Sequence, residues 1–149
     1  NKIVYFIPYI NSKFILLHVF QCGDKWHLVD VAFRQQESIE DVKESIISHE
    51  ASKYVAECSS AFFSMIREIR KVLPNVKALP EYSDVDRRIA ATSDFIKENI
   101  LLSSSKLDDS DEYSSFLSNV LDYNLNSEEK EGSTALSGLA YYLIKSCSH

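Results

Sequence analysis

Three apolar runs stand at the head of the chain: Lys2–Ile10 (KIVYFIPYI), Phe14–Gln21 (FILLHVFQ) and Lys25–Phe33 (KWHLVDVAF). Only Asn11-Ser12-Lys13 and Cys22-Gly23-Asp24 separate them. Links this short close hairpins and cannot hold a crossover helix, so the runs read as an antiparallel meander. Almost everything after Ser38 reads as helix. The fold class that follows is α+β: a three-stranded N-terminal antiparallel β-meander over residues 1–36, packed with four or five α-helices over residues 37–149.

The turns suggest a register. Pairing Ile10 with Lys13 sets Ile7 opposite Leu16 and Tyr5 opposite His18. A type II′ turn at Gly23-Asp24 needs glycine at its first central position and pairs Cys22 with Lys25 and Phe20 with His27. One face then carries Ile3, Tyr5, Ile7, Tyr9, Phe14, Leu16, His18, Phe20, His27, Val29, Val31 and Phe33. The other carries Val4, Phe6, Ile15, Leu17, Val19, Trp26, Leu28 and Ala32, interrupted by Gln21 and Asp30. A sheet with one wet face alternates apolar with polar. Both faces here are apolar, so each expects a cover: the helices on one, and either more helices or another chain on the second.

Downstream, Ser38 reads as an N-cap with Glu40 and Asp41 in the first turn. A stripe of Ile39, Val42, Ile46, Tyr54, Val55, Cys58, Phe62, Met65, Ile66, Ile69 and Leu73 follows at near-helical spacing, blurred around Ser48–Ser52 and ended by Pro74. Residues 74–83 read as an extended linker. Ser83 or Asp84 caps a helix with Val85, Ile89, Thr92, Ile96 and Ile100 inward. The run SSSKLDDSDE over residues 103–112 reads as a mobile acidic loop, and 124–132 as a second polar loop. Between them lies a helix with Tyr113, Phe116, Leu117, Val120 and Leu121 on one stripe. The last helix has Leu136, Leu139, Ala140, Leu143 and Cys147 inward. No internal repeat is present, and the whole of 1–149 reads as one domain. Asn1 enters a strand at once, so the chain is expected to be a fragment of a longer protein.

Composition narrows the function. The 149 residues are 45% apolar and 26% charged, ordinary for a globular chain, with a net charge of −6. That acidity argues against nucleic acid as a partner, since a phosphate backbone wants a basic stripe. The clusters Arg67, Arg70, Lys71 and Arg87, Arg88 read as solvated helix faces. Only three glycines occur, none in a phosphate-cradling context, so no nucleotide cofactor and no small-molecule ligand is expected. No apolar run reaches the length of a membrane span. Three cysteines without CxxC spacing, and no N-x-[ST] sequon, favour a reducing compartment, cytoplasm or nucleus.

No chemical constellation assembles from spacing alone. His18, Cys22 and His27 gather round one hairpin but lack a recurrent zinc spacing, so no metal site is expected. His49 and Cys58 would lie on opposite faces of a single helix, too far apart for a thiolate pair. Glu37, Glu40, Asp41 and Glu44, and Asp108, Asp109, Asp111 and Glu112, sit where caps and solvated loops place acids. Ser83 and Ser105 each precede an acid by three residues and are candidate phosphorylation sites. Trp26, Tyr141 and Tyr142 are aromatic residues outside the inward stripes, a composition common at binding hot spots.

A meander followed by a long helix resembles part of the longin-like and roadblock-like domains in architecture, which carries no function with it. The expectation is a non-enzymatic protein–protein interaction domain, an adaptor or complex subunit. It would bind another protein, or itself, through Val4, Phe6 and Trp26 on the sheet and Tyr141 and Tyr142 on the last helix. Lys2–Ile10 is the expected open edge, because an edge strand tolerates Pro8. The alternatives are a small hydrolase or transferase using Cys58 or a sheet histidine, and a homodimerisation domain.

Overall fold

The computed structural model describes residues 1–36 and 38–146. The chain runs β1 (Lys2–Ile10), β2 (Lys13–Cys22), β3 (Lys25–Gln35), α1 (Ile39–Ser48), β4 (Lys53–Glu57), a 3-10 turn (Ser60–Phe62) and α2 (Phe63–Arg70). It continues through β5 (Lys77–Leu79), α3 (Val85–Asn99), β6 (Ile100–Leu102), α4 (Ser104–Asp109), α5 (Asp111–Leu121) and α6 (Glu131–Ser146). All six strands form one sheet in the order β5-β4-β1-β2-β3-β6. The meander is its antiparallel centre. β4 joins β1, β5 joins β4 and β6 joins β3, each in parallel.

The α+β class holds, but the sheet is mixed and has six strands where three were expected. The three additional strands are short, five, three and three residues. A parallel strand of that length has too few residues to show an alternation. Tyr54-Val55-Ala56 falls on a helical stripe by spacing alone, although its β-branched and aromatic character and the polar Ser48–Ser52 break before it suit a strand better. The acidic run 103–112 is no loop either. The hydroxyls of Ser103 and Ser110 accept the amides of Lys106 and Tyr113, so the polar stretch is two capped helix starts in succession.

Two irregularities set the faces. Asn11 and Ser12 both take positive φ, 48° and 69°, and close the first hairpin with Ile10 opposite Lys13 as expected. β1 then spends one extra residue before pairing resumes with Ile7 opposite Ile15. This bulge exchanges the faces of β1 relative to β2: Ile3, Tyr5 and Ile7 share a side with Ile15, Leu17 and Val19. The second hairpin follows the expected register, Cys22 opposite Lys25 and Phe20 opposite His27, with Gly23 at φ +64°. A second irregularity leaves Val29 unpaired and sets His18 opposite Asp30.

Helices cover both faces. The β3–α1–β4 and β4–α2–β5 crossovers lay α1 and α2 on one side, burying Val4, Phe6, Phe14, Leu16, Val42, Ile46, Ile66 and Ile69 together. The return from β5 to β6 puts α3 on the other side, where α5 and α6 join it over Tyr5, Leu17, Val19, Trp26, Leu28, Phe116 and Leu139. The docking surface expected at Val4, Phe6 and Trp26 therefore does not exist: their exposures are 0%, 0% and 5%. Nor is Lys2–Ile10 an edge, since it lies between β2 and β4. Pro8 is tolerated because β4 pairs with β1 only as far as Phe6, leaving the missing amide without a ladder to break. The outer strands β5 and β6 are three residues each, too short to invite a further strand. No helix among the described residues is long and apolar enough to cross a membrane.

Phe6 tests the two-sided core. Phe6→Ala should cost about 3–5 kcal/mol in denaturant unfolding. Charge at Val4 should abolish far- and near-ultraviolet circular dichroism together, sheet and helices failing as one.

Candidate functional site

β1 and β4 are parallel neighbours, yet the chain leaves β1 toward β2 on one side and β4 toward β5 on the other. Connections that diverge in this way open a crevice at the carboxyl ends of the strands, where open α/β sheets bind ligands. Here the crevice is a cavity of ≈ 180 Å³ lined by Ile7 and Ile10 of β1, Glu57 at the end of β4, Tyr82 and Val85 around the start of α3, and Thr134 of α6, with Glu81 at its exposed rim. A larger hollow, ≈ 390 Å³, lies between the end of β3 and α1 and is lined by Phe14, Arg34, Asp41 and Ser45. It is open and lies away from the strand switch, so the smaller cavity is the better candidate.

Its floor is a buried polar network. Glu57 and Arg88 are 3% and 4% exposed. The Arg88 guanidinium donates from Nη1 to Glu57 Oε1 (2.9 Å) and from Nη2 to Oε2 (3.3 Å), a fork-on-fork pair. Its remaining reach goes into α6: Nε donates to Ser137 Oγ (3.1 Å) and Nη2 to the Thr134 carbonyl (2.8 Å). Tyr5 of β1 donates its hydroxyl to Glu57 Oε1. Burial, and then the Glu57 charge, hold that hydroxyl well above the usual tyrosine range, so it keeps its proton and acts as a donor. No buried side-chain nitrogen or oxygen among the described residues lacks a partner.

α6 can approach this network because Gly138 faces it. A Cβ there would stand 2.6 Å from Glu57 Oε1 and closer still to the Tyr5 hydroxyl. A second buried carboxylate, Glu131 in the first turn of α6, is turned elsewhere. Its oxygens accept from Asn11 and Asn119 (3.3 Å each), with Lys13 Nζ at 3.9 Å.

From the crevice a strip of half-buried tyrosines and exposed lysines runs along α6 toward the amino ends of β1 and β4. The rings of Tyr82 and Tyr141 are 5.8 Å apart, Lys145 Nζ is 5.2 Å from the Tyr141 ring and Lys77 Nζ is 5.8 Å from that of Tyr142. Tyr82 joins strip to floor, since Arg88 lies under its ring at 5.2 Å. Of the residues singled out from sequence, Tyr141 thus lies against Tyr82 at the crevice, whereas Tyr142 lines a separate hollow with Ile3, Trp26 and Lys53 at the amino ends of β1, β3 and β4. Ser83 and Ser105 are exposed, Ser83 just ahead of the Asp84 cap of α3 and Ser105 in the first turn of α4.

Two histidines, His18 and His49, meet elsewhere. His49 Nε2 meets Asp30 Oδ2 at 2.8 Å and packs edge-on against His18 at 5.3 Å between centroids, tying the end of α1 to the irregularity in β3. His18 Nε2 meets the Glu50 carbonyl at 2.9 Å. Cys22 is exposed, and Cys58 is buried with its thiol pushed up by burial and by Glu81 and Glu57, the wrong direction for a nucleophile. Cys147, expected as an inward residue of the last helix, lies outside the described residues.

No protein-family model matches the chain, and no curated protein matches it in sequence. Solved structures do match its fold. The human cytomegalovirus terminase nuclease domain, Mn-soaked and inhibitor-bound, superposes with a TM-score of 0.62 at 13% identity over 95% of this chain and 82% of that one. The large terminase of a thermophilic bacteriophage gives 0.62 at 14% identity over 91% of this chain, which spans about a third of that protein (34%). A looser likeness, 0.48 at 13% identity over 97% of this chain and 96% of that one, is to Thermus thermophilus RuvC. The chain shares its fold with the two terminase structures.

That finding overturns the expected non-enzymatic adaptor and the exclusion of nucleic acid as a partner. Net charge is a sum over the whole surface and says nothing of one strip of it. Scarce glycine excludes phosphate loops, whereas nuclease centres are commonly built from metal-holding carboxylates and need none. The divalent ion such a fold implies does not fit these residues, however. Glu57 is the one carboxylate on the crevice floor, and Arg88 and Tyr5 already hold its oxygens. Among the described residues no three His, Cys, Asp or Glu side chains converge to hold a metal.

The close approach of α6 and the histidine cluster can each be tested. Gly138→Ala, favourable by helix propensity, should instead destabilise the chain by about 1–3 kcal/mol, because rigid Tyr5 and Glu57 cannot yield. The check is denaturant unfolding beside an exposed control such as Ser146→Ala. For the histidines, the hydrogen bond with His49 pulls Asp30 down to about 2 and in turn raises His49, while burial lowers His18. Stability from the Asp30–His49 pair is full between the ordinary values of 3.8 and 6.5, lost below as Asp30 protonates and lost above as His49 deprotonates. In an NMR titration His49 should titrate above His18, and Asp30→Asn should bring His49 back down; equal midpoints would contradict the pairing.

Proposed function

We propose that the chain acts on nucleic acid, as a nuclease-fold domain that receives a polynucleotide over the carboxyl ends of β1 and β4. The observation that carries this reading is the crevice at the strand switch point, with Glu57 on its floor and Tyr82 at its rim, in a fold shared over 95% of the chain with a viral terminase nuclease domain. The activity of a whole terminase is not part of the proposal, since the chain spans about a third of the phage protein (34%).

The strip that leads away from the crevice along α6 supports the same reading. Tyrosine faces interleaved with lysines suit single-stranded nucleic acid, in which bases stack on rings while phosphates meet ammonium groups. The hydroxyls of Tyr82, Tyr141 and Tyr142 make no hydrogen bond among the described residues, and Lys77 and Lys145 are exposed beside them. With a net charge of −6 the protein as a whole repels polynucleotide, so binding should be confined to this strip and sensitive to salt.

Fluorescence anisotropy with labelled single- and double-stranded DNA and RNA tests it. Binding is expected at low salt and should weaken steeply between about 50 and 200 mM. Lys77→Glu combined with Lys145→Glu should weaken it about tenfold or more at an unchanged thermal midpoint. A folded chain that binds none of the four at the lower salt overturns the proposal.

A further inference from the structure

We infer that Arg88 takes the place a divalent cation would need at the switch point, so that this domain meets a phosphodiester without Mg²⁺ or Mn²⁺. The second half rests on the nucleic-acid reading; the first concerns the free chain alone.

Three residues on three elements make the arrangement. A hard divalent ion at a nuclease-type centre draws its ligands from several oxygens, commonly carboxylates brought together by neighbouring strands and a helix. On β1 the position beside Glu57 carries Tyr5, neutral and a donor, where a cation would require an acceptor. On α6 the facing position carries Gly138, which has no ligand to offer and leaves room for the tyrosine ring. From α3, Arg88 brings a permanent positive charge against both oxygens of Glu57 and is itself fastened to Ser137 and Thr134. One guanidinium thus balances one carboxylate in a site from which water is nearly excluded.

A metal ion at Glu57 would have to share the carboxylate with that guanidinium, cation against cation, or displace it. Once displaced, that charge would have no other buried carboxylate to meet among the described residues, since Glu131 is turned to Asn11, Asn119 and Lys13. Leaving an arginine buried and unpaired is the outcome such sites most strongly resist. Positive charge toward a phosphate near the crevice then comes from side chains and not from an ion.

The test is Mn²⁺ titration of the intact chain, monitored by calorimetry and by the electron paramagnetic resonance signal of the free ion. No saturable binding is expected up to about 1 mM, the weak end of oxygen-ligand divalent sites. The thermal midpoint should not move with Mn²⁺, and any nucleic-acid affinity should be the same in EDTA and in Mn²⁺. A stoichiometric Mn²⁺ site that disappears in Glu57→Gln overturns the inference, as does nucleic-acid binding that requires the ion. If the chain binds no nucleic acid, the function proposed above fails, while the metal titration still decides this point.

Discussion

One buried ion pair joins the parts of this fold that the sheet alone leaves separate. Glu57 ends β4, Arg88 sits in the first turn of α3, Tyr5 lies in the middle of β1, and Ser137 and Thr134 belong to α6. Backbone pairing already holds β1 to β4. Nothing in the ladder says where α3 and α6 must stand over them. Apolar packing is non-directional and would accept several settings of a helix on a sheet. A guanidinium with its donors aimed at a carboxylate, a hydroxyl and a carbonyl accepts far fewer. Gly138 then follows as a consequence, since only a helix without a side chain at that point can come down onto the Tyr5–Glu57 contact.

The centre of the sheet was legible because its signals are local. Hairpin links too short for a helix, glycine before Asp24 and long apolar runs all announce a meander. Both-sided apolarity asked for a cover on each face but did not say whether helices or another chain supplied the second; helices of this chain supply both, so no face is left for a partner. What stayed hidden was the bulge after Ile7, which exchanged one strand's faces, and the short parallel strands, whose partners are distant in the chain: Tyr5 pairs with Val55 and Trp26 with Ile100. The sequence of Lys53–Glu57 has no alternation to distinguish it from a turn of buried helix. Reading it as helix removes the very strand that carries Glu57.

The candidate site was less legible for a related reason. Arg88 adjoins Arg87 and so passes for part of a solvated face, yet it stands three residues after Val85 and four before Thr92, on the inward stripe of α3. A charged residue on an apolar stripe is a signal that a buried partner exists, although it does not say which. Gly138 in the interior of a helix is a second such signal, because an interior glycine is costly unless something approaches it closely. Tyr141 and Tyr142 were legible as residues outside the inward stripe; that Tyr141 meets Tyr82 at the crevice, and Tyr142 meets Lys77 of β5, depended on elements no local pattern places.

The measurement closest to the central claim is a double-mutant cycle on Glu57→Gln and Arg88→Met by denaturant unfolding at neutral pH. The fork-on-fork geometry predicts a coupling of about 2 kcal/mol or more, each single variant stranding a charge that the double variant removes. Additive losses, with coupling below about 0.5 kcal/mol, would contradict the account and return Arg88 to the solvated face.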